Sequence, residues 1–192
     1  MSKIIMISGK QGSGKTTLAD RLYDKLVNPD TLTGVVRLKF ADPLYAANEA
    51  LKDAMEPFGI PVSEKEGAFL QFLGTEWGRK KDPDIWVKAL KKQVSFYEAQ
   101  APGSFIIIDD CRFKNEFDAF PDALRIRLKA PEEDRKVRTH VWRDNTLHAS
   151  ETDLDDYESK FELVIDTGAN TKDQTLLAVL KHINLKFSDS LS

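Results

Sequence analysis

Gly9-Lys-Gln-Gly-Ser-Gly-Lys-Thr16 follows an apolar stretch at residues 3–8 and precedes a segment whose leucines recur at the helical period. It matches the pattern G-x-x-x-x-G-K-[ST], in which glycines let successive backbone N–H groups turn toward phosphate oxygens. The helix that follows presents its positive N-terminal end to the same anion. A strand before the pattern and an amphipathic helix after it are the context that this motif requires. The stretch therefore predicts a site for a nucleoside triphosphate.

The residue types within this loop predict how it binds its ligands. The Lys15 ammonium is expected to bridge the β- and γ-phosphates, and the Thr16 hydroxyl is expected to bind Mg²⁺. ATP and Mg²⁺ are therefore the expected cofactors. The loop residues predicted to bind ATP are Gln11, Gly12, Ser13, Gly14, Lys15, Thr16 and Thr17.

Short apolar runs alternate with helical patterns along the rest of the chain, which favours an α/β fold with parallel strands and crossover helices. Strands that are buried on both faces read as continuous apolar runs and not as an alternation of apolar and polar residues. The predicted strands are residues 3–8, 35–40, 105–109, 124–128 and 161–165.

Several dipeptides indicate where helices begin. Asp42-Pro43 and Asp82-Pro83 each place a capping carboxylate before a proline, which is favoured at the first helical position. Ala130-Pro131 opens a charged helix, and Thr171-Lys-Asp-Gln174 forms a capping box. The segment after Asp82-Pro83 carries an apolar stripe, which consists of Trp86, Leu90, Val94 and Tyr97. Such a stripe packs either in the core or across a homodimer interface.

Composition excludes several classes of protein. The 192 residues suit one domain, and a formal charge of −3 argues against broad coating of nucleic acid, which needs a basic excess. The longest apolar runs are far shorter than the ~20 residues of a membrane span, and the N-terminal run is too short for a signal peptide. Cys111 is the single cysteine, so no internal disulfide forms. A reducing cytoplasm is the expected location.

Asp109 and Asp110 end the third apolar run and predict the second element of a nucleotide site. A carboxylate there can hold Mg²⁺ or orient the acceptor, and Asp109 is the predicted metal residue, although either aspartate fits the metal. The other aspartate is expected to cap the next turn. Arg112 suits bidentate phosphate binding, or alternatively an ion pair with Asp110 or Glu116. Cys111 is expected to be a buried filler, because phosphoryl transfer needs no thiol.

Motifs along nearly the whole chain resemble those of bacteriophage deoxynucleoside monophosphate (dNMP) kinases. The resemblance implies one domain over residues 1–192 with a three-layer P-loop kinase fold and a five-stranded parallel sheet of order 2-3-1-4-5. It also implies transfer of the ATP γ-phosphoryl to a dNMP, a small-molecule partner, for synthesis of DNA precursors. The motifs that carry it, besides the phosphate loop, are Phe40-Ala-Asp-Pro-Leu44, Gln71-Phe-Leu-Gly-Thr-Glu76 with Asp84-Ile-Trp-Val-Lys88, Asp110-Cys-Arg112 with Glu116, and His148-Ala-Ser-Glu151.

The same resemblance implies site residues. It assigns a helical acceptor-binding part to residues 42–101 and a lid to residues 130–150, in which Arg143 is a weaker candidate for phosphate binding. Arg135 and Asn170 join the ATP site, and the catalytic residues are Lys15, Asp110, Arg112 and Arg138. The acceptor-binding residues are Lys10, Phe40, Ala41, Asp42, Gln71, Gly74, Thr75, Arg79, Trp86, Asp110, Arg112, Glu116 and Glu151.

Other interpretations remain open. A P-loop kinase of the dephospho-coenzyme A kinase type would act on a hydroxyl, and Asp42 stands where its general base is needed. A nucleotide-binding switch or a DNA-dependent ATPase would need no small acceptor. The guanine-reading and switch motifs of a GTPase are missing from the sequence. Trp86 fits a core anchor as well as a substrate contact, and His148 fits a loop end with Ser150 capping the next helix.

Overall fold

The structure, a computed structural model, describes residues 2–27, 34–139, 142 and 148–188. Its centre is a sheet of five parallel strands in the order β2-β3-β1-β4-β5, which confirms the predicted α/β fold and strand order. Each observed strand overlaps a predicted one and differs from it at one or both ends. The strands are β1 (Lys3–Gly9), β2 (Val35–Leu38), β3 (Phe105–Cys111), β4 (Leu124–Lys129) and β5 (Leu163–Asp166).

Helices cover both faces of this sheet and complete the three expected layers. Successive side chains of the central strands enter opposite layers, so Ile5 and Ile107 belong to one apolar core, and Met6 and Ile106 belong to the other. The helices are α1 (Lys15–Leu26), α2 (Asp42–Met55), α3 (Gly67–Gln71), α4 (Ile85–Gln100), α5 (Lys114–Asp118), α6 (Glu132–Val137), α7 (Ala149–Thr152) and α8 (Lys172–Phe187). No described helix combines the length and hydropathy that crossing a bilayer requires.

Two of the predicted helix starts are wrong in detail. α2 begins at Asp42, but the Asp42 carboxylate accepts the backbone N–H of Lys39 at 2.7 Å and caps no helical N–H group. α4 begins at Ile85, because the Asp82 carboxylate accepts the N–H of Asp84 at 3.0 Å and forms a turn before the helix. The capping box is confirmed: Thr171 and Gln174 exchange side chain-to-backbone hydrogen bonds.

A π-helical segment, Phe72–Arg79, joins α3 to the chain before α4. Trp86 of α4 holds this segment in place, because its buried indole N–H donates to the Gly74 carbonyl at 2.9 Å. Gly78 lies flat against the same ring, so that a Cβ there would lie 2.4 Å from the indole. Trp86 is 7% exposed and belongs to the core, which agrees with one of its two predicted roles, that of a core anchor; the substrate contact stays a prediction.

This contact predicts that Gly78→Ala lowers the free energy of unfolding by about 1–3 kcal/mol, because overpacking outweighs the better helix propensity of alanine. Urea unfolding followed by circular dichroism measures the change. Gly34→Ala is the control: its Cβ would make ordinary contacts at 3.4 and 3.5 Å, and a change within about 0.5 kcal/mol is expected. Equal effects of the two substitutions would contradict the packing described.

Candidate active site

All five strands run in the same direction, so their carboxyl ends meet at one edge of the sheet. Ligands of open parallel sheets bind at this edge. The phosphate loop leaves the end of β1, and the Asp109-Asp110 pair and Arg112 lie at the end of β3. Two clefts open here, one lined from the phosphate loop and the turn after β5, the other from the ends of β2 and β3.

Lys15 is the most deeply placed cation of the phosphate loop. Its ammonium donates to the carbonyls of Gly9 at 2.7 Å and Lys10 at 3.0 Å. Burial lowers the pKa of Lys15 well below its ordinary value, and the nearby Arg112 guanidinium lowers it further. Nearby carboxylates at Glu151 and Asp109 act in the opposite direction. An anionic ligand beside Lys15 would therefore bind favourably, because its charge offsets the repulsion between Lys15 and Arg112.

The loop backbone has the conformation that phosphate binding needs. Gly12 and Gly14 have φ values of 76° and 93°, in the left-handed region that glycine adopts readily. α1 starts at Lys15 without a side-chain cap, and the first N–H groups of a helix have no partners within it. Gly14 faces open space, because a Cβ there would meet nothing within 4 Å. These features fit the phosphates of a nucleotide.

The cleft beside this loop has a volume of about 600 Å³. It runs from α1 to the turn between β5 and α8, which contains Asn170, a residue that the resemblance assigned to the ATP site. Six predicted ATP-binding residues line it, together with Arg138: Gly12, Gly14, Lys15, Thr16, Thr17 and Asn170. Other residues also line it but were not predicted to bind ATP: Leu18, Arg21, Leu128, Thr167, Thr171, Lys172 and Thr175.

Oxygen groups suited to Mg²⁺ lie on both sides of Lys15. The Thr16 hydroxyl is in the first turn of α1, and the buried Asp109 carboxylate has one oxygen, Oδ1, without a hydrogen-bond partner. Mg²⁺ in nucleotide sites takes few protein ligands and keeps several waters and phosphate oxygens. The described residues contain no cluster of three or more His, Cys, Asp or Glu side chains suited to a metal ion. A Thr16–Asp109 site fits this sparse pattern.

Asp109 also forms ion pairs that the sequence did not reveal. Its Oδ2 accepts from Arg37 of β2 at 2.8 Å, and Lys39 lies 3.9 Å from Oδ1. Arg37 pairs in turn with Asp20 of α1. Neither Asp109 nor Asp110 caps the turn after β3, which corrects that expectation. Glu116 does so instead, because its Oε2 accepts the N–H groups of Arg112 and Phe113 at 2.7 and 3.1 Å.

The second cleft, of about 650 Å³, is bounded by α2, α3, the π-helical segment and the end of β3. Most residues predicted to bind the acceptor lie together in its wall: Phe40, Ala41, Gln71, Gly74, Thr75, Arg79, Trp86, Asp110, Arg112 and Glu116. Leu44, Tyr45, Gly67, Ala68, Leu70, Phe113, His148 and Ser150 complete the lining.

Asp110 joins β3 to the chain that follows β2. Its two carboxylate oxygens accept the backbone N–H groups of Phe40 and Ala41, each at 3.0 Å. Burial and the neighbouring Glu116 carboxylate raise the pKa of Asp110 to about 7, although the two N–H groups favour its ionised form. Asp110 therefore holds the wall of the second cleft through the backbone, with a pKa raised toward neutrality by burial.

Glu116 and Arg79 form an ion pair in the wall of this cleft. The Glu116 side chain is 2% exposed, and burial raises its pKa despite the pair with Arg79. The Arg79 guanidinium lies 3.8 Å from the centroid of the Phe113 ring and is held between the carboxylate and the ring face. Arg79 thus presents a fixed cation to the cleft.

Arg112 pairs with neither Asp110 nor Glu116, which corrects the alternative expected from the sequence. Its Nη1 donates to Glu151 Oε1 and to the Ser150 carbonyl, the latter at 3.3 Å. His148 caps α7, because its Nδ1 accepts the N–H of Ser150 at 3.2 Å. Ser150 was expected to be the cap, but it lies inside α7, which corrects that expectation.

Several predicted site residues line neither cleft. Lys10 points to Asp155, 2.8 Å away, and borders a smaller cavity with Ser13 and Arg135. Asp42 lines a separate surface depression beside Arg37. Glu151, Gln11 and Asp109 are not among the residues that line the two clefts; the Glu151 carboxylate accepts the Gln11 backbone N–H.

The predicted lid packs against the phosphate loop. Arg135 is buried and donates to the Gln11 carbonyl at 3.1 Å, and a Cβ on Gly12 would lie 2.5 Å from the Arg135 carbonyl. Arg138 follows α6 and donates to Thr167 at the edge of the cleft beside the phosphate loop. Arg143 and most of residues 140–147 lie outside the described residues, so the rest of the predicted lid is not placed.

Two arginines at the site, the half-buried Arg37 and the buried Arg127, were missed from the sequence. Arg37 orients Asp109, and Arg127 of β4 donates to the Ser8 hydroxyl at 2.9 Å and to Asp155 at 2.8 Å. Arg37 is the one charged residue of β2, and Arg127 stands between the buried Ile126 and Leu128 of β4. Such charges are costly to bury without a partner, and this is the signal by which they could have been found.

Comparison with known proteins supports a common origin for this fold. A family model described as an AAA domain matches residues 5–151, more than half of the chain, and the chain therefore belongs to that family. A search of curated proteins finds no significant match.

Solved structures with similar folds include several kinases. The chain resembles a sugar kinase from Janibacter sp. HTCC2649 at 21% identity and a TM-score of 0.57, with 94% of each chain covered. Thymidylate kinase from Candida albicans is 18% identical with a TM-score of 0.55, covering 96% of this chain and 92% of that one. A gluconokinase from Sinorhizobium meliloti 1021 is 14% identical with a TM-score of 0.51, covering 99% and 95% respectively. At these identities the likeness shows a P-loop kinase-like fold.

The raised pKa of Asp110 predicts a pH dependence of stability. The native protein keeps this proton up to about pH 7, whereas the unfolded chain releases it near 3.8. The free energy of unfolding should therefore fall as the pH rises between these values, by up to about 1.4 kcal/mol per pKa unit, and become flat above pH 7. Asp110→Asn should remove most of this slope, leaving the part contributed by Glu116.

Urea unfolding at several pH values between 5 and 8 measures both slopes. The exposed Asp53 provides the control, since Asp53→Asn should keep the wild-type slope. Parallel profiles for wild type and Asp110→Asn would mean that Asp110 is ionised throughout and that its two backbone hydrogen bonds outweigh burial.

Proposed function

We propose that this protein transfers the γ-phosphoryl group of ATP to the phosphate of a deoxynucleoside 5′-monophosphate. One observation carries the proposal: two clefts of similar volume, about 600 and 650 Å³, open at the same sheet edge, one lined by the phosphate loop and one by Arg79 and Arg112. A protein that only binds or hydrolyses ATP needs no second, cationic cleft. Kinase neighbours in the fold comparison are consistent with this assignment.

The proposed reaction needs charge neutralisation more than proton transfer. An acceptor phosphate oxygen forms a bond to the γ-phosphorus, the bond from that phosphorus to the β–γ bridging oxygen breaks, and ADP leaves with the electron pair. The second pKa of a phosphate monoester is about 6, so the attacking oxygen is already ionised near pH 7. Lys15 and Arg112 are placed to bring the two anions together. Mg²⁺ held by Thr16 and Asp109 would neutralise phosphate charge.

The lining of the second cleft suits a nucleotide better than a small inorganic acceptor. Aromatic and apolar side chains such as Phe40, Tyr45 and Trp86 offer surface to a base and sugar, and Gln71 offers an amide for hydrogen bonds. Arg112 and Arg79 provide the cations that a monophosphate requires. A deoxyribonucleotide is proposed from the motifs shared with the dNMP kinases.

The decisive assay couples ADP release to NADH oxidation with ATP, Mg²⁺ and a panel of dNMPs, NMPs and dephospho-coenzyme A. We expect turnover with one or more dNMPs and a fall of at least about 10²–10³ in kcat for Lys15→Ala, because an electrostatic group at the transferring phosphoryl is lost. Lys25→Ala is the control, since Lys25 lies exposed in the last turn of the same helix. Near-normal turnover of Lys15→Ala would refute the assignment of the loop.

The main alternative is a kinase for a hydroxyl acceptor, which needs a general base. Asp42, the expected base, lies outside the acceptor cleft and accepts from the Lys39 backbone. Asp110 lines the cleft and has a pKa of about 7, but both of its oxygens already accept backbone N–H groups. These contacts favour the phosphate acceptor.

Asp42→Asn distinguishes the two kinases. With a phosphate acceptor, we expect kcat to stay within about threefold of wild type and stability to fall modestly, by about 1 kcal/mol, because one backbone hydrogen bond weakens. Steady-state kinetics with the best acceptor, together with its Kd from calorimetry, provide the comparison. A collapse of kcat with unchanged acceptor Kd would support the hydroxyl kinase.

A further inference from the structure

Glu151 links the two clefts although it lines neither. It is 8% exposed, and its two carboxylate oxygens have different partners. Oε2 accepts the backbone N–H of Gln11 in the phosphate loop at 2.9 Å, and Oε1 accepts from Nη1 of Arg112. One carboxylate therefore connects the loop of the proposed donor site to the arginine of the proposed acceptor site.

The hydrogen bonds of Arg112 show which part of its guanidinium is held. Nη1 donates to both Glu151 and the Ser150 carbonyl, and the backbone N–H donates to Glu116. Among the described residues, Nε and Nη2 of Arg112 have no hydrogen-bond partner, and neither atom is fully buried. Nε and Nη2 form one edge of the guanidinium, the pair of donors that a phosphate binds bidentately. The Arg112 side chain lines the acceptor cleft.

We propose that Glu151 is a positioning residue, which holds Nη1 of Arg112 so that the opposite edge of the guanidinium faces the acceptor phosphate. The bond to Gln11 sets the position of that arginine relative to the phosphate loop, and so relative to Lys15. This inference rests on the proposed function for its catalytic consequence. It revises the direct acceptor contact predicted for Glu151 from the sequence.

Charge supports the same role. Lys15 and Arg112 are close enough for the arginine to lower the pKa of the lysine, and Glu151 opposes that effect. Without the carboxylate, Arg112 would be repelled from Lys15 and would lose its fixed orientation. Phosphate binding needs both cations in place, because a flexible arginine must be immobilised at an entropic cost when the ligand binds.

Glutamine at this position cannot replace glutamate. A carboxylate offers two accepting oxygens, whereas an amide offers one oxygen and two N–H donors. The Gln11 N–H and the Arg112 Nη1 are both donors. In Glu151→Gln the amide oxygen accepts from one of them, and the amide NH₂ meets the other donor without being able to accept from it. Glu151→Asp keeps both acceptors on a shorter side chain and should restore part of the activity.

Glu162 provides a matched control, because it has the same pattern of partners away from the clefts. Its Oε2 accepts the backbone N–H of Arg125 at 2.9 Å, and its Oε1 accepts from Lys186 at 2.8 Å. Glu162→Gln should therefore lose a comparable bridge and change stability without changing the kinetics of phosphoryl transfer.

The kinetic test is a double-mutant cycle with Glu151→Gln, Arg112→Ala and the double variant, using ATP and the best dNMP. We expect Glu151→Gln to lower kcat/KM for the dNMP by about ten- to hundredfold, the effect of losing a hydrogen bond to a charged group, with KM for ATP changed less than about threefold. In the Arg112→Ala background the same substitution should have less than about a threefold effect. Additive effects would overturn the proposal.

A measurement without turnover separates this inference from the proposed function. In ¹⁵N spectra of the ligand-free protein, a guanidinium held at Nη1 shows slow rotation and separate Nη signals, assigned to Arg112 through Arg112→Lys. We expect this signature in wild type and Glu162→Gln, its loss in Glu151→Gln and its partial return in Glu151→Asp. An unchanged Arg112 signal in Glu151→Gln would overturn the positioning role. Absence of turnover with every acceptor would instead refute the proposed function.

Discussion

The contact between the Lys15 ammonium and two carbonyls of its own loop is the interaction on which the site depends. A buried ammonium is costly unless it is hydrogen-bonded, and Gly9 and Lys10 supply the oxygens at the end of β1. The loop can turn back in this way because Gly12 and Gly14 accept left-handed backbone conformations. Strand, turn and helix start are therefore parts of one arrangement that keeps a cation ready for phosphate.

The other cations of the site also have partners within the protein, because each forms an ion pair with a carboxylate. Arg79 is held by Glu116, Arg112 by Glu151, and Arg127 by Asp155. These pairs offset the repulsion between positive groups that converge on the carboxyl ends of the parallel strands. Their carboxylates also hold the arginines in position, which lowers the entropic cost of binding an anion. The result is a site organised before its substrates arrive.

The sequence predicts the fold well because the signals for it are local. The phosphate loop is one continuous stretch, and the apolar strands between amphipathic helices require a parallel sheet. Most residues of the second cleft were predicted too, because their motifs resemble those of the dNMP kinases. Pairings between distant side chains were not predictable: Glu151 meets Gln11, and Arg37 meets Asp109, across long stretches of chain. Asp42 failed for a local reason, because its carboxylate turns back to the Lys39 N–H.

The π-helical winding of Phe72–Arg79 has a consequence for how this protein can diverge. A π-helical stretch holds more residues per turn than an α-helix, because its hydrogen bonds join residues i and i+5. Loss of one codon here would restore α-helical winding and rotate the residues on either side by about 100° relative to each other. The side chains of Gln71 and Thr75 would then point in new directions relative to each other, whereas the sheet and the phosphate loop would keep their structure. A change of length in this short stretch would therefore reshape the wall of the second cleft without any substitution in the phosphate loop.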